Sequence, residues 1–125
     1  MLTVTIKNQF ESAVKLYDYE GDCANVHGHT YSVAATFYNL DDGSDMVVDY
    51  FEAKHWVKKA IAPLDHNFIN DVEPFNTVSP TTENIAKWLY KQINALTTKN
   101  IAILNITLSE NDSFSVSYAP NSKNT

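Results

Sequence analysis

Residues 23–39 read CANVHGHTYSVAATFYN, and the rest of the chain is organised around this stretch. From about His27 to Asn39 apolar side chains recur at every second position, which predicts a β-strand. Because side chains alternate between the two faces of a strand, His27 and His29 project from the same face. Imidazoles so placed can bind a zinc ion, and Cys23 supplies the only thiol of the chain nearby. The pair is a candidate metal site, although His-Gly-His also occurs by chance on protein surfaces.

Three other segments also predict strands. They are Leu2–Asn8, Ile101–Ser109 and Ser113–Ala119, the last two joined by a hairpin turn over residues 110–112. The segment Phe10–Asp22 has no clear period and predicts a connection. The strand that begins at Ile101 is expected to be apolar on both sides, from the positions of Ile101, Ile103, Ile106 and Leu108.

Between these strands the apolar residues change to a helical spacing. A first helix is predicted from Phe51 to just before Pro63. Its apolar stripe is predicted to comprise Phe51, His55, Val57, Ala60 and Ile61. A second helix is predicted with Ser79 as N-cap, Pro80 at the first helical position and Glu83 in the first turn. Its apolar stripe comprises Ile85, Trp88, Leu89, Ile93 and Leu96.

The order of these elements predicts an α+β fold. Two strands, two helices and two strands indicate a four-stranded antiparallel sheet in ββααββ order, with both helices on one face. We expect a single domain over residues 1–120 and a frayed tail over residues 121–125. Such a sheet leaves one face and two edges uncovered, which predicts a homo-oligomer.

Composition narrows the classes of function. The chain has 125 residues, 44% of them hydrophobic and 19% charged, which is typical of a globular protein. Its net charge is −6 and all nine positive residues are Lys, so we expect no nucleic-acid partner, because the bidentate forks of Arg are absent. A single Cys suits a reducing compartment. With no signal peptide or membrane span evident, the expected location is the cytoplasm, away from membranes.

Six motifs occur in an order that resembles one enzyme family. They are Phe10-Glu11-Ser12-Ala13, Cys23 with His27-Gly28-His29-Thr30-Tyr31, Met46-Val47-Val48-Asp49-Tyr50, Leu64-Asp65-His66, Pro80-Thr81-Thr82-Glu83-Asn84 and Ser109-Glu110. The chain is similar to the 6-pyruvoyl-tetrahydropterin synthases and the related 6-carboxy-tetrahydropterin synthases of queuosine biosynthesis. This resemblance implies a tunnelling fold, in which trimers close a barrel of strands and two trimers stack into a hexamer. It also implies active sites between subunits.

The resemblance further implies a zinc-dependent lyase that removes triphosphate from dihydroneopterin triphosphate. The implied zinc ligands are His27 and His29, and the implied catalytic residues are Cys23 as general base with Asp65 and His66 as its acid–base partners. The implied pterin contacts are Glu110, which would accept hydrogen bonds from the ring, and the start of the second helix at Thr81 and Thr82. Lys15 lies where a basic residue would meet the triphosphate.

One position departs from the family pattern. The phrase that begins at Phe10 ends in His in the family, and this His is the third zinc ligand, whereas the matching residue here is Val14. Valine has no lone pair to donate, so the expected zinc site lacks one ligand unless Asp18, Glu20 or Asp22 replaces it. Two readings therefore stay open. One is an active lyase with a substitute ligand, and the other is an inactive or altered homologue that binds a pterin or purine-like ligand.

Overall fold

The computed structural model describes residues 1–121, in which the strands form one five-stranded sheet. The elements in chain order are β1 (Val4–Val14), β2 (His27–Asn39), α1 (Tyr50–Ile61), β3 (Asn67–Phe68), α2 (Thr82–Leu96), β4 (Ile101–Ser109) and β5 (Ser115–Tyr118). Their order across the sheet is β3-β1-β2-β4-β5. Most of the tail predicted over residues 121–125 lies outside the described residues.

The prediction of four antiparallel strands was wrong, because β3 adds a fifth strand parallel to β1. It pairs Asn67 and Phe68 with Ser12 and Ala13, and two residues are too few to show a period in sequence. The first strand also runs to Val14, through residues predicted to be a connection. Ser12 obscured the alternation there, since it is a polar residue on the buried side and its hydroxyl donates to the carbonyl of Leu64.

Both helices pack on one face of the sheet, as predicted. Buried side chains of β1, β2 and β4 alternate with exposed ones, and the buried set faces α1 and α2. Trp56 of α1 packs against Phe37, and Trp88 of α2 packs against Phe75. The opposite face is polar, with hydroxyl pairs such as Thr5 with Thr36.

A β-bulge at Leu104 corrects the prediction that β4 is apolar on both sides. Thr36 pairs with Asn105 and Phe37 with Ile103, so Leu104 is an extra residue on β4. The extra residue shifts the alternation by one, and Ile103 and Ile106 therefore both face the core.

The helices begin at caps that differ in part from the predicted ones. Asp49 caps α1 by accepting from the N–H groups of Phe51 and Glu52. The cap of α2 is Thr81 rather than Ser79, since the Thr81 hydroxyl accepts from the N–H of Asn84. The predicted stripe of α1 was wrong at Phe51 and His55, which are exposed, because Ala53 and Trp56 face the core instead.

No helix within residues 1–121 has both the length and the apolar character needed to cross a membrane.

Candidate functional site

Cys23 lies in the loop between β1 and β2. The closing contact of this loop is a hydrogen bond of 2.9 Å from the N–H of Leu16 to the carbonyl of Cys23. Gly21 precedes Cys23 with a φ of 127°, which favours glycine, and it caps the short 3₁₀ turn Asp22–Ala24. Cys23 itself is half-buried and free of any disulfide. The chain therefore turns back on itself, and Cys23 lies four residues before the start of β2.

His27 and His29 lie on the helix side of β2, as the alternation predicted. Their rings meet edge to face, with centroids 4.8 Å apart and an interplanar angle of 89°. The Nδ1 atom of His27 lies 2.7 Å from the carbonyl oxygen of Asn25. A carbonyl only accepts, so Nδ1 carries the proton and Nε2 carries the lone pair of the neutral ring. Nε2 of His27 can therefore act as a ligand or an acceptor.

The donors gathered here do not match a zinc centre with three protein ligands. Val14 pairs directly with His27 across the strands and is 2% exposed, so an apolar side chain fills the position opposite the imidazole. Within residues 1–121, no group of three or more His, Cys, Asp or Glu side chains is arranged to hold a metal ion. The loop acids Asp18, Glu20 and Asp22 therefore supply no third ligand within one copy of the chain.

Tyr31 and Glu110 lie side by side on the helix side of the sheet. Ser32 of β2 pairs with Ser109 of β4. Tyr31, one residue before Ser32, therefore lies next to Glu110, one residue after Ser109. Burial raises the pKa of the Tyr31 phenol, and repulsion from Glu110 and from Cys23 raises it further. The thiol and the carboxylate are therefore both close enough to Tyr31 to act on it electrostatically.

The carboxylate of Glu110 is held at the start of α2. Thr82, which is buried in the first turn, donates its hydroxyl hydrogen to Glu110 Oε1. Thr81 caps the helix at the same end, so the N–H groups of the first turn lie near this carboxylate. We call Tyr31, Thr82 and Glu110 the anchor cluster.

Asp65 and His66 form a second group beside β1, at the edge that β3 borders. His66 Nδ1 lies 2.9 Å from Asp65 Oδ1, and His66 Nε2 lies 3.6 Å from Glu11 Oε2. The backbone of Glu11 joins both residues, because its N–H donates to Asp65 and its carbonyl accepts from the N–H of His66. His66 adopts a φ of 58°, a left-handed conformation that is uncommon for a non-glycine residue. We call Glu11, Asp65 and His66 the edge cluster.

Hydrogen bonds in the edge cluster lower the pKa of Asp65. The largest cause is the bond from the N–H of Glu11, and the bond from His66 acts in the same direction. Asp65 therefore remains a carboxylate at neutral pH and can orient the imidazole by accepting from Nδ1.

The two clusters lie on opposite faces of the sheet. Glu11 alternates with the buried Phe10 and Ser12, so its side chain points away from the helices, whereas Glu110 points toward them. A shallow groove of about 540 Å³ on the outer face is lined by residues that include Glu11, Thr30 and His66. Within residues 1–121, no hydrogen bond or ion pair joins His66 to Cys23 or Glu110.

A profile described as 6-pyruvoyl tetrahydropterin synthase matches residues 3–121, nearly the whole chain. The chain belongs to the 6-pyruvoyl tetrahydropterin synthase family. The resemblance identified from the six motifs is confirmed.

Relatives within this family carry several activities in their names. The 6-carboxy-5,6,7,8-tetrahydropterin synthase of Haemophilus influenzae is 36% identical over 76 residues, which are 57% of this chain and 54% of that protein. The chain thus aligns with about half the length of that relative. The dihydroneopterin monophosphate aldolase of Pyrococcus furiosus is 29% identical over 104 residues, 83% of each protein.

A solved structure shows the same fold. The 6-pyruvoyl tetrahydropterin synthase of Caenorhabditis elegans superimposes with a TM-score of 0.86 over 96% of both chains, at 23% identity. The subunit fold expected from the resemblance is confirmed by this likeness, apart from the added β3, and the hexamer stays a prediction.

Three residues near the candidate site were not predicted as site residues from the sequence. Tyr31 lies within the His-Gly-His-Thr-Tyr motif, but its alternation with Val33 marked it only as core. Glu11 lies within the Phe10 motif, and a charged residue at an exposed strand position gave no signal of its contact with His66. Asn70 is 5% exposed and bonds to the backbone of Lys15, a contact between residues far apart in sequence. The expected roles of Lys15, Thr81 and Thr82 stay predictions.

Proposed function

We propose that this protein binds a reduced pterin and acts on its side chain as a lyase, with dihydroneopterin triphosphate as substrate and triphosphate as leaving group. Support comes from family membership and, above all, from the anchor cluster, where the Glu110 carboxylate is fixed at the start of α2. A pterin ring presents an amino group and an adjacent N–H, and a carboxylate accepts two such bonds in parallel. Thr82 uses only one of the acceptor positions of Glu110, so others serve the ring.

The proposed acid–base chemistry uses groups from both clusters. Cys23 and Glu110 both act electrostatically on Tyr31, so we propose that a pterin anchored at Glu110 presents its side chain toward the thiol. Cys23 would take a proton from the side chain, and the Asp65–His66 pair would return a proton to an oxygen. The pair lies on the opposite face of its own chain, so we propose that a neighbouring copy supplies it within a hexamer of two stacked trimers.

The lost ligand at Val14 limits what zinc contributes to this proposal. The resemblance implies a zinc ion on His27 and His29, and two imidazoles alone fall short of the three protein ligands of a catalytic zinc. Our proposal therefore assigns the proton transfers to Cys23, Asp65 and His66, whose positions do not depend on a metal.

The deciding assay is incubation of the purified protein with dihydroneopterin triphosphate. Release of triphosphate and formation of a carboxy- or pyruvoyl-tetrahydropterin are followed by chromatography, with and without added zinc. We expect product from the unmodified protein and a loss of at least about a hundredfold in Cys23→Ala, since a positioned base contributes factors of this size. No product under either condition would exclude the lyase and leave pterin binding alone.

A second candidate is cleavage of a carbon–carbon bond in the same side chain. It is favoured by the likeness to the Pyrococcus furiosus aldolase, which aligns over 83% of both proteins. A retro-aldol step needs a base at a side-chain hydroxyl and an acid, which Cys23 and the Asp65–His66 pair supply. The test substrate is dihydroneopterin monophosphate, and release of a two-carbon aldehyde with no loss of phosphate would identify this reaction.

A further inference from the structure

The backbone at the start of the loop that leads to Cys23 is held by a set of side-chain hydrogen bonds. Asn70 Oδ1 accepts from the N–H of Lys15 at 3.0 Å, and Asn70 Nδ2 donates to the carbonyl of Lys15 at 2.8 Å. One side-chain amide thus binds both polar groups of one residue, as a neighbouring strand would. Asn70 is 5% exposed, so water does not compete well for either bond.

The residues after Lys15 continue this arrangement in alternation. Leu16 donates its N–H to the carbonyl of Cys23, at 2.9 Å. Tyr17 binds residues much farther along the chain. Its N–H donates to Ser79 Oγ at 3.0 Å, and its hydroxyl donates to the carbonyl of Phe75 at 2.8 Å. Lys15 and Tyr17 are therefore bound to residues 70–79, and Leu16 between them is bound to Cys23.

The same segment leads directly to the anchor cluster. Ser79 accepts from Asn84 Nδ2 through its carbonyl, at 3.0 Å, so the end of the segment is joined to the first turn of α2. Thr82 in that turn holds Glu110. Hydrogen bonds, together with the chain between them, therefore connect the Cys23 loop, through residues 70–79, to the carboxylate that would bind the pterin.

We propose that Asn70 is a positioning residue that fixes the Cys23 thiol relative to the Glu110 anchor. It touches neither substrate nor the reacting atoms, and it acts through Lys15 and Leu16 on the backbone of Cys23. This inference rests on the proposed role of Cys23 as the base for a pterin bound at Glu110. A misplacement of the base by about an ångström lowers turnover much more than it lowers binding.

The test compares Asn70→Ala with Asn39→Ala in the full chain. Asn39 is a matched control, because its amide also binds loop backbone, at Met46 and Val47, beyond the opposite end of β2. The first readout is the rate at which iodoacetamide alkylates Cys23 in the absence of substrate. We expect Asn70→Ala to raise this rate at least about fivefold, since two part-buried hydrogen bonds that oppose loop opening are lost. Asn39→Ala should leave the rate unchanged.

The second readout separates positioning from general damage. With dihydroneopterin triphosphate, Asn70→Ala should lower kcat at least about tenfold while pterin affinity, measured by fluorescence, changes by less than about threefold. Equal alkylation rates in the two variants, or a loss confined to pterin affinity, would overturn the proposal. If Asn70→Ala does not fold, Ser79→Ala removes a single bond of the same set, and an unchanged alkylation rate in this variant overturns it too. Alkylation needs no turnover, so it decides the question even if the unmodified protein proves inactive.

Discussion

The anchor cluster and the edge cluster differ in how completely one chain builds them. Tyr31 is 1% and Thr82 7% exposed, and each group of the anchor cluster is held by core packing or by α2. In the edge cluster the His66 side chain is 73% and that of Glu11 64% exposed, on the opposite face of the sheet. Under the proposed function, pterin binding is therefore built within one chain, whereas the Asp65–His66 pair needs a partner surface to enclose it. The predictions that follow test this division, from the largest expected effect to the smallest.

Mixing inactive variants tests whether the two clusters come from different copies. Cys23→Ala and His66→Ala should each lower turnover by factors of about 10² to 10⁴. If Cys23 and His66 of one site belong to neighbouring copies, assemblies refolded from an equal mixture should regain about one quarter of the activity. Mixing Cys23→Ala with Glu110→Gln is the matched control and should regain none, because both residues serve the site from one chain. The same recovery in both mixtures would refute the division.

The zinc content of Val14→His tests whether a third imidazole completes a zinc site with three protein ligands on the helix side of the sheet. The unmodified protein, purified without chelator, should contain less than one zinc per chain. Val14→His places a third imidazole opposite His27 and should raise zinc affinity by at least about tenfold. Elemental analysis measures the content, and Val14→Ala controls for space without a donor. Full occupancy in the unmodified protein would show that a donor from elsewhere completes the site.

Glu110→Gln tests the anchor directly. The substitution replaces an acceptor by an amide that also donates, so one of the two proposed bonds to the ring becomes repulsive. We expect pterin affinity to fall by about ten- to a hundredfold in a fluorescence titration. Glu83→Gln is the control, since Glu83 lies exposed in the same turn as Thr82. Equal affinities in the two variants would remove Glu110 from the site.

The smallest expected effect concerns the stability that Asp65 contributes. The pKa of Asp65 is lowered in the folded protein, so its bonds to Glu11 and His66 stabilise the fold above the unfolded pKa of about 3.9. That contribution is lost as the pH falls through the lowered folded value. Urea denaturation should therefore show Asp65→Asn as slightly less stable at pH 7 and equal to the unmodified protein well below pH 4. A difference that persists at the lower pH would mean that the carboxylate charge is not the cause.

The sequence predicted the long elements well and the short or exceptional ones poorly. Ile101–Ser109 agrees residue for residue, because its length and β-branched composition leave little ambiguity. The extension of β1 was missed because Ser12 is a buried polar residue whose partner, Leu64, lies far along the chain. The bulge at Leu104 was missed because an apolar residue that is extra on a strand looks the same in sequence as one that continues the alternation.

The candidate site was predictable where a family motif marked it. The motifs brought forward Glu110, Thr82 and the Asp65–His66 pair, and the structure shows the bonds that these residues make. Glu11 lies within a motif and Asn70 outside all of them, but neither was predicted as a site residue. Their significance depends on His66 and Lys15, which meet them only after folding. His55 was assigned to the core by spacing alone. A shift of one residue along a helix moves a side chain from the buried to the exposed side, so this assignment was wrong.

The bulge at Leu104 also restricts how β4 can vary in length. Glu110 follows this strand, and it faces α2 only because the count of residues from Leu104 onward has the right parity. Deleting Asn105, for example, would turn both Ile106 and the Glu110 carboxylate to the outer, polar face of the sheet. Insertions and deletions in this stretch should therefore be tolerated among homologues only in steps of two.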